Sequence, residues 1–414
     1  MKKRNDQVSS SESSAIGDQS ERQIIQNEIE RTEEVNSQEG NSLAIIDKFR
    51  KNFDWSLVWT ILAIKGLVLL FGVQAYYALA NKPIEHWRGW LEIWNYWDSL
   101  RHARLAESGY TNVGIERYDI VGFPLFPWIT RLFALIFQDY LVSGFIVSTL
   151  ATIAAGLLLH KLVLLDFADS IARRAVWFMM IFPTSYFLHI NYNESLFLAL
   201  AVGCFLAARR ENWMLAGILG ALLCLTRING LIIIPALLAE AFLQFRISRK
   251  LQWQWLWLAI IPVGFGIYLA LNQNVTGNAF AFLAAGRENF QKSFDMPWNG
   301  IRGVYFRMWD PEPGLAQMIG VHEFVFVLLG AIGTIASMIF LRASFTVWMF
   351  GNWLLFTSVG FIMSVPRFTL AMFPIYILFA KLSRKQFWHS VITVWSLLLL
   401  ALFVSKFVQG HWTF

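Results

Sequence analysis

The chain has 414 residues, 56% of them hydrophobic and 16% aromatic, with only 15% charged, against roughly 25% charge in an ordinary soluble domain. That balance excludes a water-soluble globule. The formal charge of +6 does not point to nucleic acid, because the basic residues stand in short clusters between apolar runs, where membrane topology needs them.

Residues 1–52 differ from the rest. Ser9-Ser10-Ser11 and the acidic stretches from Glu28 to Glu39, with few large apolar side chains, predict a disordered cytoplasmic tail. No short apolar core and small-residue cleavage site follow a charged region there, so the span beginning at Trp55 is expected to act as the insertion signal. Residues 53–414 then read as one all-α, polytopic transmembrane domain. Apolar runs of spanning length recur at about 55–80, 141–165, 174–190, 194–208, 212–226, 229–245, 252–272, 320–341, 345–365, 367–381 and 387–408, roughly eleven spans. Cys204 and Cys224 fall in apolar stretches and read as buried small side chains.

With this count Arg173-Arg174, Arg209-Arg210, Arg246 with Arg249-Lys250, Arg342, and Lys381 with Arg384-Lys385 all lie on the cytoplasmic side. Phe123 to Phe137 is short for a crossing and carries Pro124 and Pro127, and is read as re-entrant, a full span being the alternative. The external side then holds two long loops, about 81–122 and 273–319, with tight turns at Asn191 to Glu194, Arg227 to Gly230 and Pro366-Arg367. Most polar oddities of the apolar region share this face.

In the first loop Leu91, Trp94 and Leu105 with Trp87, Trp90 and Trp97 suit a short helix lying in the interface, apolar side down. Asp98 reads either as a helix cap or as a carboxylate able to take a proton from a hydroxyl, with Arg101, His102 and Arg104 beside it to hold a phosphate. Glu85, Glu116 and Asp119 share that loop. Glu194, after Asn191, Tyr192 and Asn193, is a site candidate or a cap of the next helix. Arg227, in an almost uncharged stretch, needs an anion: a lipid-linked phosphate, or a carboxylate such as Glu194. Arg367 is a similar case, with interfacial snorkelling as the ordinary alternative. Arg287, Lys292, Arg302 and Arg307 of the second loop suit anionic ligands without distinguishing themselves individually. No Walker loop, dinucleotide fingerprint or His-Glu-x-x-His motif is present, and His102, His189, His322 and His411 are too scattered to suggest a metal.

Six short motifs in order resemble one family. Trp97-Asp98 with Leu105-Ala106 and Gly109-Tyr110, then Phe123-Pro124-Leu125-Phe126-Pro127, Asn193-Glu194-Ser195-Leu196-Phe197, Thr226-Arg227-Ile228-Asn229-Gly230, Gly277-Asn278 with Phe282, and Pro366-Arg367-Phe368 with Phe373-Pro374 are similar to segments of the GPI mannosyltransferase II (PIG-V) family and its prokaryotic relatives, which are polytopic GT-C glycosyltransferases. Arg101 and Ala279 depart from the family pattern, which leaves donor and acceptor open.

The resemblance implies transfer of a sugar, mannose in the eukaryotic members, from a polyprenyl phosphate such as dolichyl-phosphate mannose to an extracytoplasmic glycolipid or glycan. The expected mechanism is inverting and metal-independent, with no cofactor beyond the lipid-linked sugar. Asp98 is the expected base, Arg227, Arg367 and Arg101 the phosphate-binding set, and Trp97, His102, Glu194 and Asn229 the acceptor and cavity residues. The expected setting is a prokaryotic plasma membrane, with the endoplasmic reticulum membrane as the alternative, the N-terminus cytoplasmic and membrane lipids as neighbours. The rival readings are a flippase or other transporter of lipid-linked sugars, a scaffold subunit, and a ligase of whole oligosaccharides.

Overall fold

The structure, a computed structural model, describes residues 54–80 and 82–414; the expected tail over residues 1–52 lies outside the described residues. Among these, every regular element is helical, and the one β pairing is an antiparallel bridge between Phe294 and Val359. The all-α polytopic class read from composition is the class observed.

In chain order the helices are α1 (Trp55–Ala80), α2 (Asp98–Ser108), α3 (Leu125–Phe137), α4 (Tyr140–Val163), α5 (Asp169–Ile181), α6 (Glu194–Arg209), α7 (Trp213–Cys224), α8 (Ile233–Ser248), α9 (Ile261–Thr276), α10 (Ala281–Phe290), α11 (Pro297–Arg307), α12 (His322–Phe340), α13 (Ala343–Thr357), α14 (Val365–Phe368), α15 (Pro374–Leu382) and α16 (Gln386–Phe407). Among the described residues, six are long and apolar enough to cross a membrane, alone or with a preceding turn, and the number rises to eight if each of two bent pairs counts as one crossing. The eleven spans suggested by hydropathy are not all of that length, for a physical reason. Helices α5, α6, α7 and α13 have 13, 16, 12 and 15 residues, so at 1.5 Å per residue they reach only about 18–24 Å of a core roughly 30 Å thick. Pro183 ends α5 early, because it has no N–H to continue the ladder.

The segment read as re-entrant is α3, joined to the turn Ile115–Val121 at a bend of 109°. Its prolines do no harm, since Pro124 is the N-cap residue and Pro127 lies in the first turn, where the missing N–H has no intrahelical partner anyway. Gln138, in the left-handed conformation at φ 53°, closes α3, and the Asp139 carboxylate accepts from Leu141 N and Val142 N to open α4. Helices α3, α4, α6 and α7 then pack side by side in that order, with α8 against α13 and α13 against α12. Where α7 and α9 cross, a Cβ on Gly264 would stand 1.9 Å from the Ala221 carbonyl oxygen, the close backbone approach that small residues allow between membrane helices.

One end of the bundle gathers the basic clusters assigned to the cytoplasmic side. Glu240, fully buried, takes Arg342 and Ser344 in hydrogen bonds and lies 3.7 Å from Arg209, which also binds Asp166. Arg174 reaches the Ser383 carbonyl and Lys381 that of Phe340. One reading of the first loop is corrected: Trp94 is not an interfacial anchor but core, fully buried against Gly72 of α1, while Trp87, Trp90 and Trp97 stay exposed. The helix around Trp90 is also cut short, to Gly89–Glu92.

Candidate active site

The site is assembled by three places where helices stop short. Between α5 and α6 the chain runs through Phe182 to Asn193 almost wholly buried, without a continuous ladder. Such backbone is tolerated in an apolar interior only if its polar groups find partners. Side chains of α1 and α4 supply them: Lys65 donates to the His189 carbonyl at 2.5 Å, Thr152 to that of Leu188 at 2.5 Å and Ser148 to that of Tyr192 at 3.1 Å. Gly144 makes the fit possible, since a Cβ there would stand 1.8 Å from Asn191 Oδ1. The result is that Glu194 opens α6.

The second break, Leu225 to Arg227 after α7, is tied to the first by Asn193, whose amide donates to the Thr226 carbonyl at 3.0 Å. The third, Ser358 to Ser364, leads into α14 and brings Arg367. Helix α2 meets the first directly and the third through Arg367. Its first residue is Asp98, and its N-cap residue Trp97 holds φ 54°, a conformation unusual for a bulky side chain. The start of α2 is pinned from the first break by Asn191 Nδ2 donating to Ser99 O (3.0 Å) and by Tyr192 OH donating to Tyr96 O (3.0 Å).

What converges is a chain of alternating charge. Arg101 Nη1 donates to Asp98 Oδ1 at 2.5 Å, and Arg367 Nη1 to Asp98 Oδ2 at 2.6 Å. The other side of Arg367 reaches Glu194, Nε to Oε1 at 2.5 Å, and the same oxygen accepts from Arg227 Nη1. Arg227 also donates to Asn193 Oδ1 at 3.3 Å. Asp119 extends the chain, 3.4 Å from Arg101 and held by Arg104 through two bonds of 2.7 and 3.0 Å. Aromatic faces back the cations: the Arg367 guanidinium lies 4.7 Å from the Tyr192 ring and 4.9 Å from Phe187, and that of Arg227 lies 5.1 Å from Phe368.

The group is recessed but open. The Asp98 side chain keeps 25% of its surface, Arg227 17% and Arg101 16%, whereas Glu194 behind them keeps 3%. Burial opposes ionisation of Asp98, but Arg101, Arg367 and the hydrogen bond from Arg367 outweigh it and hold the carboxyl well below the usual carboxylate range. Burial pushes His102 down to about 4, so it is neutral at physiological pH.

Of the residues singled out from sequence, Asp98, Arg101, Glu194, Arg227 and Arg367 stand together, and Asp119 joins them through Arg101. Of the two partners considered for Arg227, the structure supplies the carboxylate, Glu194. Arg367, 7% exposed, is buried in ion pairs rather than snorkelling to an interface. Trp97 is exposed beside Asp98, its ring edge-to-face with Trp412 at 5.0 Å. His102 is buried against Phe126 and Tyr192, and the amide of Asn229, also buried, goes to Asn352 Oδ1 at 2.8 Å. No ion pair joins Glu85 or Glu116 to the group among the described residues.

Sequence reasoning named Lys292 only as one of four second-loop cations and did not single it out. Its ammonium lies 5.4 Å over the Phe368 ring with no carboxylate partner among the described residues. Burial and the neighbouring Arg227, Arg367 and Arg101 lower it to about 8, against the pull of Asp98. Its neighbour Phe290 lies 5.0 Å from the Arg101 guanidinium. The only trace in sequence was a second loop with more cations than an external loop needs. Among the described residues, no group of three or more His, Cys, Asp or Glu side chains is placed to hold a metal ion.

With that geometry in hand, residues 122–271 match a family model described as dolichyl-phosphate-mannose-protein mannosyltransferase. The match takes in α3, Glu194 and Arg227 but stops short of Asp98, Lys292 and Arg367. Among solved structures the chain is similar to the archaeal oligosaccharyltransferase AglB from Archaeoglobus fulgidus in complex with an inhibitory peptide and a dolichol-phosphate, at 13% identity and a TM-score of 0.41. That likeness covers 86% of this chain and 56% of the other, so this chain spans little more than half of its neighbour's length. No curated protein matches the chain.

Proposed function

We propose that this protein is a membrane glycosyltransferase that moves a sugar, mannose in the reading favoured here, from a polyprenyl phosphate to a hydroxyl of an extracytoplasmic glycolipid or glycan. The observation that carries the proposal is the charge of the recessed site. Four cations, Arg101, Arg227, Lys292 and Arg367, face two carboxylates, Asp98 and Glu194. The excess is positive, and much of it is unspent: Arg101 Nη2, Arg227 Nη2 and Arg367 Nη2 have no hydrogen-bond partner among the described residues. A lipid phosphodiester is singly charged, and the phosphate it leaves behind carries close to a second charge, so stabilisation grows as the bond to the sugar breaks. The family match over residues 122–271 supports the same donor class.

In this mechanism the acceptor oxygen attacks the anomeric carbon and the carbon–oxygen bond to phosphate breaks. The electron pair leaves on phosphate, and the hydroxyl proton passes to Asp98. A carboxylate paired with two arginines is a weak base, and two features compensate. An entering phosphate competes for Arg367 and Arg101 and so loosens their hold on Asp98. The attacking hydroxyl also becomes acidic as its bond to carbon forms. Glu194 and Asp119 keep 3% and 10% of their side-chain surface, leaving Asp98 as the accessible carboxylate. One accessible carboxylate suits a single displacement with inversion, and the guanidinium groups stabilise the leaving phosphate without a metal.

The test supplies membranes containing the protein with radiolabelled dolichyl-phosphate mannose and follows label into lipid and glycan fractions by chromatography and mass spectrometry. Asp98→Asn, inserted at the wild-type level, is expected to lose about 10²- to 10⁴-fold in turnover, the usual worth of a positioned base. Full turnover by the folded variant removes Asp98 from the mechanism. Donor that crosses the membrane unchanged, with no label transferred, points instead to the transporter reading.

A further inference from the structure

The segment Ser358 to Phe368 behaves as a strap with the site at both of its ends. At its start it pairs with the second loop: Asp295 N donates to Ser358 O at 3.2 Å, Gly360 N donates to Ser293 O at 3.0 Å, and Phe294 bridges Val359. That pairing fixes the residues next to Lys292. Midway, Arg307 of α11 donates to the Ile362 carbonyl at 2.7 Å and lies 4.3 Å from the Phe361 ring. At its end the strap turns through Ser364, a non-glycine residue at φ 74°, into α14 and Arg367.

The turn rests on one side chain from another helix. Glu323, in the first turn of α12 and fully buried, accepts Ser364 N on Oε1 at 2.5 Å and Val365 N on Oε2 at 2.8 Å. These are N-terminal N–H groups of α14, which have no partners of their own. A buried carboxylate is costly, and two N–H bonds on its two oxygens also hold a strained, left-handed residue. Thr184 adds a second tether, Oγ1 to the Pro366 carbonyl at 2.8 Å.

We propose that Glu323 is a positioning residue: by binding the N–H groups of Ser364 and Val365 it sets the strap so that Arg367 reaches Asp98 and Glu194 while Lys292 is carried into the same space. Glu323 touches neither reacting group. The proposal rests on the reading of Asp98 as the residue that handles the acceptor hydroxyl, and its consequence is a change in the surroundings of Asp98. Asp98 is faced by Arg101 and His102 from α2, Tyr192 and Glu194 from the first break and α6, Arg227 from the second, Lys292 from the second loop, and Arg367 from the strap. Of these, Arg367 is the group Glu323 controls.

The experiment compares full-length wild type with Glu323→Gln in membranes. Hydrogen exchange of the Ser358 to Phe368 backbone is followed by mass spectrometry, together with the pH dependence of kcat. The expected result is faster exchange at Ser364 and Val365, a fall in kcat of about 10- to 100-fold, and an acid limb of kcat displaced upward by about one pH unit as Asp98 loses its arginine. Ser364→Gly in the Glu323→Gln background, giving the turn a residue that adopts positive φ freely, is expected to restore part of both. Unchanged exchange overturns the proposal, as does a loss of rate that is uniform across pH with the acid limb in place. Faster exchange in Glu323→Gln, when the wild-type protein itself transfers no sugar to any acceptor, leaves the strap anchored as described and removes the transferase reading instead. If Glu323→Gln does not insert, Glu323→Asp, shorter by one methylene, replaces it in the same comparison and is read by the same outcomes.

Discussion

Single residues carry the charge argument, and Arg367 carries most of it, because Nε and Nη1 of one guanidinium reach two carboxylates at once. A lysine has one point charge and cannot bridge the two. Arg367→Lys is therefore expected to lower stability, by an amount approaching the roughly 3–5 kcal/mol that follows loss of a buried partner, and to be seen as an earlier thermal transition in detergent. A transition at the wild-type temperature removes the bridge from the stability account. Lys292 is the opposite case. With no carboxylate partner to abandon among the described residues, Lys292→Ala is expected to fold normally and to raise the KM for donor by about tenfold or more, the worth of one charge-assisted hydrogen bond. An unchanged donor KM removes Lys292 from the phosphate site. Glu194, Arg227 and Arg367 were readable as candidates because ionisable residues in apolar surroundings are conspicuous, and Asp98 and Arg101 because they cluster beside Trp97 and His102 at the membrane surface. Lys292 could be named but not singled out, because it sits in a polar loop among other cations.

At the scale of elements, the site depends on where helices end. Pro183 stops α5, and the buried stretch that follows is held by Lys65, Thr152 and Ser148, a lysine and two hydroxyls that hydropathy reads only as interruptions of α1 and α4. Gly144 is the tightest point of that packing. Gly144→Val is expected to push Asn191 off Ser99, destabilise the protein by about 1–3 kcal/mol and misplace the start of α2, which a lower thermal transition and reduced transfer would report. Wild-type values for both would show that the Asn191 segment yields without cost. The short α3 illustrates how a sequence pattern misleads. Two prolines make it look unfit to be a helix, yet both fall at its N-terminal end, where proline costs nothing.

For the whole molecule, the breaks after α5, α7 and α13 lie at one end of the bundle and the paired basic clusters at the other, so the helices that are too short to span make room for a polar site. The net charge of that site sets a pH dependence. Lys292 is charged below about 8 and loses its charge as the pH rises through that value. The Asp98 carboxylate is already ionised well below the usual range and stays so in mildly acidic solution. The expected profile of kcat/KM for donor is a plateau with a decline above about pH 8, and Lys292→Arg is expected to extend the plateau upward. A decline left in place by Lys292→Arg assigns it to another group.

Composition and the spacing of apolar runs determined by themselves that the chain is an all-α membrane protein, because the cost of unpaired backbone in lipid leaves helices as the way to bury runs of that length. They also marked Glu194, Arg227 and Arg367 one by one, since each is an ionisable group set at the edge of apolar runs, while Asp98 stood out by its place beside Trp97, Arg101, His102 and Arg104 and by the family resemblance. Only the tertiary structure decided that Asp98, Arg367, Glu194 and Arg227 form one alternating chain of charge, that Lys292 stands beside it without a carboxylate partner among the described residues, and that Glu323, some forty residues before Arg367, anchors the turn presenting it. Such pairings depend on which helix ends meet in space, and a hydropathy pattern records the length of a helix but not its neighbours.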